Sequence, residues 1–214
     1  MRIFGFLLLL CSACHFIQED KQVVQSGDLL FQDLDCGPLC DAIEKVTHGY
    51  KGRSFSHIGL VYVRNDSAYV VEAVGKDVHL TPLTSFLSRS TDSSGKPKVM
   101  QGRLKEEHRH LIEPAIAFAL KQLGVPYDDA FIYDNGSYYC SELIYDAFRE
   151  GNAGKDFFEL EPMTFKNPED GKTFPAWEEY YQSLDFEIPE GQPGCNPAGI
   201  SRSDKLIVGE WKTD

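Results

Sequence analysis

No long run of lysine or arginine occurs in this 214-residue chain, and acidic side chains outnumber basic ones 33 to 21. The formal net charge of −12 repels nucleic acid and anionic membrane surfaces, so nucleic acid is not expected as a partner. The one marked apolar run, Ile3 to Leu10, is too short to cross a bilayer as a helix. No second Cys or His pair stands at ligand spacing, which argues against zinc, and no metal or cofactor is expected. Internal repeats and low-complexity blocks are missing too. What remains is a globular composition, 42% hydrophobic and 25% charged, in a chain long enough for one good core and short for two.

The N-terminus reads as an export signal: Met1-Arg2, the apolar run, then Cys11-Ser12-Ala13-Cys14. Small residues before Cys14 resemble a bacterial lipoprotein processing site, although Cys11 stands where leucine is usual. Residues 1–14 are therefore expected to be a signal peptide, 15–26 a spacer, and 27–214 a single domain. Lipidation at Cys14 would anchor an exported, periplasmic protein, in the outer membrane for preference; plain secretion or a retained short anchor are the alternatives. Four cysteines then remain, Cys36, Cys40, Cys140 and Cys195, some of which could pair in an oxidising compartment.

The chain alternates strand and helix signals. Leu29-Leu30-Phe31 is a short strand, followed by a helix with Pro38 in its first turn, capped by Asp33 or Asp35, burying Leu39, Ile43 and Val46 and stopping at Gly49. Phe55 to Val63 and Ala68 to Val74 flank Arg64-Asn65-Asp66-Ser67 and predict a hairpin. Asp77 to Leu80 and Val99 to Leu104 add strands, and Thr81-Pro82 opens a short helix through Leu87. A longer helix follows Glu106-Glu107 and carries an apolar stripe from Leu111 to Leu123. Beyond Gly151 the chain is rich in Pro, Gly and aromatics, with a helix over Pro175 to Tyr181, and is expected to wrap the domain. The sum is an α+β fold with a small, mainly antiparallel sheet packed against helices.

Cys140 heads an amphipathic helix whose inward face is Leu143, Ile144, Ala147 and Phe148. Unpaired amides of the first turn then point toward its sulfur and favour negative charge there, as a nucleophile requires. The alternative is a small buried hydrophobe, because free cysteine is among the most buried residue types.

A cysteine nucleophile needs a base, and the base needs a partner that fixes its tautomer. Among the histidines, His57 opens Ile58-Gly59-Leu60-Val61-Tyr62-Val63, the most strand-like run of the chain. His15 belongs to the leader, His48 sits by a helix stop, His79 lies in a strand of ambiguous facing, and His108 and His110 begin a solvated helix. With an even turn at Asn65-Asp66, hairpin partners sum to 131 and Gly59 lies opposite Glu72. Glu72 and His57 are then diagonal neighbours on one face, within reach of each other. A solvent-facing strand position is the competing reading for Glu72.

These residues also carry a family resemblance. Gly124-Val125-Pro126-Tyr127 followed by Tyr139-Cys140-Ser141-Glu142-Leu143-Ile144 resembles the nucleophile region of NlpC-type papain-like cysteine peptidases. Gly27-Asp28-Leu29-Leu30-Phe31 and Ser56-His57-Ile58-Gly59-Leu60-Val61 resemble that superfamily's two strand motifs. Here the strand motifs precede the cysteine helix, as in the circularly permuted YiiX-type branch. The resemblance implies a permuted papain-like fold with a barrel-like sheet, and a cysteine amidase or peptidase. It makes Cys140 the nucleophile, His57 the general base and acid, and Glu72 the residue orienting the imidazole. The Cys140 amide would hold the oxyanion, with Tyr127 as a second donor, and Tyr139 could line the cleft. The expected substrate is a small amide or cell-wall-type peptide. The rivals are an acyl hydrolase or transferase on a lipid ester or amide, and a non-catalytic binding lipoprotein.

Overall fold

The computed structural model describes residues 24–212, so the leader, Cys14 and most of the spacer lie outside the described residues. The chain runs through β1 (Leu29–Gln32), α1 (Pro38–Val46), β2 (His57–Arg64), β3 (Ser67–Val74), β4 (Asp77–Pro82), α2 (Leu83–Ser88) and β5 (Val99–Leu104). Then come α3 (Ile112–Lys121), α4 (Cys140–Gly151), β6 (Glu161–Pro162), α5 (Pro175–Ser183), β7 (Pro193–Gly194), α6 (Pro197–Ser201) and β8 (Leu206–Glu210).

Six strands form one sheet in the order β4-β3-β2-β1-β5-β8, every pair antiparallel, while β6 and β7 make a separate ribbon. The sheet is open, which corrects the barrel-like expectation. The outer edge of β4 is taken by Gly124–Tyr127 instead of β8: Val78 donates to the Val125 carbonyl, Gly124 to Val78, and Tyr127 to Lys76. A covered edge has no further bonds to offer for closure.

Alternation along the strands separates two apolar layers. Leu29, Phe31, Ile58, Leu60 and Val71 face α3 and α4, whose Ala115, Ala119, Leu143, Ile144 and Phe148 are fully buried or nearly so. Leu30, Val61, Val70 and Val99 pack on the other face against Phe86 of α2 and Trp211. Period-two side-chain placement makes both layers follow from one register. The Gly27-Asp28 pair fixes the start of β1. Gly27 has φ 91°, and a Cβ there would lie 2.5 Å from the Ile112 side chain. Buried Asp28 accepts from Arg103 Nε and Nη2 at 2.7 and 2.8 Å and from Gln101 at 2.5 Å, tying β1 to β5.

Three local expectations are corrected. Neither Asp33 nor Asp35 caps α1; both pair with Lys98 Nζ, at 2.8 and 2.7 Å, and Gly37 with φ 83° opens the helix beside a Cys36–Cys40 disulfide. The long helix begins as a 3-10 turn over Glu106–Leu111 and ends at Lys121, so Leu123 falls past its phase and is exposed. The tail also supplies an unexpected sheet strand, β8, an edge position that leaves Ile207 in solvent.

Candidate active site

The hairpin that carries the proposed base and its partner turns at Asn65 and Asp66, with φ 49° and 58°, the left-handed pair of a two-residue turn. Leu60 pairs with Val71 and Val61 with Val70, the register expected from the sequence. Gly59 leaves the space this register requires: a Cβ there would meet Val70 Cγ1 at 2.3 Å and Glu72 Cβ at 3.4 Å. Across the gap, His57 Nε2 and Glu72 Oε2 are 2.5 Å apart, and both residues are buried. Glu72 is thus no solvent-facing strand residue.

The other partners of Glu72 keep it anionic. Thr81 Oγ1 donates to Oε1 at 2.5 Å, and Arg89 spans both oxygens, Nη2 to Oε1 at 2.6 Å and Nη1 to Oε2 at 3.0 Å. Burial pushes the carboxyl pKa upward, but the bonds from His57, Arg89 and Thr81 outweigh it and bring it down to about 2. The aromatic floor is Phe86, whose ring lies 5.9 Å from that of His57 and 5.3 Å from the Arg89 guanidinium.

His57 is the first residue of β2, at the end of the sheet where α4 begins. Burial would lower its pKa. Hydrogen bonding to Cys140 and to Glu72, with negative charge on both, instead holds it up at about 9. Because Nε2 is occupied by Glu72, Nδ1 is the nitrogen left for the sulfur. Cys140 stands at the first position of α4, where its amide has no intrahelical acceptor. Buried Glu142, at the third position, accepts from the Asp134 amide at 2.8 Å and from the Tyr139 amide, tying the helix start to the preceding loop.

The strand motifs precede the cysteine helix in this arrangement, and a sequence model of the permuted papain-like amidase family, YaeF/YiiX, C92, matches residues 23–208. The chain belongs to that family. It is 30% identical over 125 residues to the uncharacterized protein YiiX of Escherichia coli K12, a stretch that covers 58% of this chain and 57% of that relative. The chain thus spans little more than half the length of the curated relative it matches. A crystal structure described as metalloprotein YiiX from Escherichia coli O157:H7 has a TM-score of 0.68 at 25% identity, over 88% of this chain and 97% of that one. Among the described residues, no group of three or more His, Cys, Asp or Glu side chains is arranged to hold a metal ion. The described residues offer no such site, and no step below uses a metal.

Tyr127 and Tyr139 divide in the structure. Tyr127 lines the cavity beside Cys140. Burial and the charge of Cys140 hold its phenol well above the usual tyrosine range, so it stays a donor. Tyr139 lines the same cavity, but its hydroxyl is committed to Cys195, accepting from that residue's amide at 3.2 Å and lying 3.8 Å from its Sγ. Cys195 is a second free, buried thiol. Sequence reasoning missed Thr81 and Arg89. The two-residue turn after Val74 sets Glu72 opposite His79 and makes Thr81 its diagonal neighbour, a signal that was available. Arg89, delivered by the end of α2, had no local signal.

Proposed function

We propose that this protein is a cysteine-dependent amidase or peptidase that hydrolyses a small amide through a thioester on Cys140. The unbroken chain of contacts from Cys140 through His57 and Glu72 to Arg89 is the observation that carries this reading. In the proposed reaction the Cys140 sulfur, its proton held by His57, attacks the carbonyl carbon. The Cys140 amide, the positive end of α4 and the Tyr127 hydroxyl stabilise the oxyanion. The carbon–nitrogen bond then breaks as His57 gives its proton to the departing amine. Water attacks the thioester, passing a proton back to His57, and the acid leaves with Sγ regenerated. Glu72 holds the ring in one orientation throughout.

We propose further that residues 1–14 act as an export leader and that a lipidated Cys14 anchors this activity to a membrane outside the cytoplasm. The test is to incubate the protein with a thiol-directed covalent probe and with panels of amino-acid amides, cell-wall peptides and lipid amides, alongside Cys140→Ala. Labelling and turnover that vanish in the variant support the reading. Absence of both labelling at Cys140 and turnover of every class would sink it.

A further inference from the structure

A cavity of about 200 Å³ opens directly onto Cys140. Its walls come from elements that no motif marks. α1 contributes Ile43 and Val46, the tail contributes Met163 and Phe165, α5 contributes Trp177, and Phe131 rises from the loop ahead of the nucleophile. The cavity sits between the main core and a second aromatic cluster in which α1 packs against α5. Among the described residues, Glu161 is its one carboxylate, on an exposed two-residue strand, and no basic side chain lines it. An anionic substituent would be desolvated there without a cationic partner.

Phe131 is held in place at a backbone cost. Its φ is 55°, a conformation rare for a bulky residue. Buried Asp128 clamps it from both sides, accepting the Ala130 amide at 2.9 Å and the Ile132 amide at 2.6 Å. The ring is then caged edge-on by Tyr139 at 5.5 Å and Trp177 at 6.0 Å. Such strain persists where the surroundings over-determine it, often at ligand clamps.

We propose that this cavity selects amides whose acyl part carries one compact apolar group, a branched aliphatic or single aromatic ring, and that Phe131 sets the size limit. The inference rests on the cysteine amidase reading and names its substrate class. Size decides between candidates. An apolar cavity of roughly 150 Å³ takes a benzene ring, whereas pockets for drug-sized ligands run from about 300 Å³ upward. The space beside Cys140 therefore admits a ring or a branched chain, and a long fatty-acyl chain exceeds it.

Two measurements test this. Calorimetric binding of the alanyl, leucyl, phenylalanyl, lysyl and glutamyl amides to Cys140→Ala reads the cavity without chemistry. The kcat/KM of the wild-type protein for the same amides, and for linear acyl amides from acetyl to palmitoyl, reads specificity. Leucyl, phenylalanyl and hexanoyl groups should exceed alanyl and acetyl by about tenfold or more, the discrimination a few methylenes give in an apolar pocket. Phe131→Gly, which keeps the left-handed backbone without strain, should move the optimum to longer chains, and Val46→Phe should move it to acetyl and alanyl. Preference for lysyl or glutamyl, a steady rise through palmitoyl, or no binding of any amide would overturn the proposal. Apolar-ranked binding with no turnover would overturn the amidase reading alone.

Discussion

Arg89 grips both carboxylate oxygens of Glu72, at 2.6 and 3.0 Å, and shares Oε2 with His57. A bidentate guanidinium fixes a carboxylate in plane and position, which a point charge cannot do. We therefore expect Arg89→Ala to lower kcat by tenfold or more with little change in KM, because Glu72 loses the grip that aims it at the imidazole. Arg89→Lys should restore the charge but not the geometry, and recover only part of the rate. Removing the guanidinium also leaves Glu72 less neutralised, so the His57 pKa should move above its present value of about 9. Imidazole NMR titration of both variants checks this. An unmoved His57 titration, with loss of thermal stability alone, would make Arg89 merely structural.

The same network sets a pH window. His57 titrates near 9 in the folded protein against 6.5 for the free side chain, so its contribution to stability is complete below about 6.5 and is lost as pH rises through 9. Glu72 titrates near 2 against 4.5, so its contribution is complete above about 4.5 and is lost as pH falls toward 2. The pair thus stabilises most between about pH 4.5 and 6.5. Subtracting the pH–stability curve of His57→Gln from that of the wild type should leave a plateau in this window. The kcat profile should fall on the alkaline side near pH 9, where His57 no longer holds the proton due to the leaving amine.

Gly59 is the cheapest point at which to break the site without touching it. A methyl at this position meets Val70 Cγ1 at 2.3 Å and Glu72 Cβ at 3.4 Å, inside a strand with no slack. Gly59→Ala should cost about 1–3 kcal/mol of stability, in the range of overpacked cores. Glu72 should be displaced as well, so activity at temperatures where the variant is fully folded should drop. Thermal denaturation and kcat measured on one preparation separate the two effects.

How much could be read from the residues alone depended on range. Hairpin register was legible because a two-residue turn and a strict alternation leave one solution, and that solution puts Glu72 beside His57. The α4 start was legible because the apolar spacing after Cys140 admits one inward face. The open sheet was not, since the segment that covers β4 comes from residues 124–127, more than forty positions later, with no strand pattern of its own. Arg89 and the cavity walls were illegible for the same reason. Their roles come from tertiary placement: an arginine after a short helix has an ordinary surface reading, and an aromatic tail shows that it packs on the domain but not which of its residues face the nucleophile.

Glu142 lies two residues from the nucleophile and is fully buried, with Oε2 lacking a hydrogen-bond partner. Burial and the nearby Asp128 and Asp146 charges, against the amides of Asp134 and Tyr139, raise its pKa from 4.5 to about 8. A carboxyl raised in this way binds its proton more tightly when folded, so its contribution is complete below about pH 4.5 and is lost as pH rises toward 8. Glu142→Gln keeps a carbonyl oxygen for the Asp134 and Tyr139 amides and removes the ionisation. Its melting temperature should match the wild type at pH 4.5 and exceed it by a growing margin up to pH 8. Wild-type activity should survive the change, because the tie at the α4 start is preserved. Glu142→Ala removes that tie, and should lower both stability and kcat at every pH.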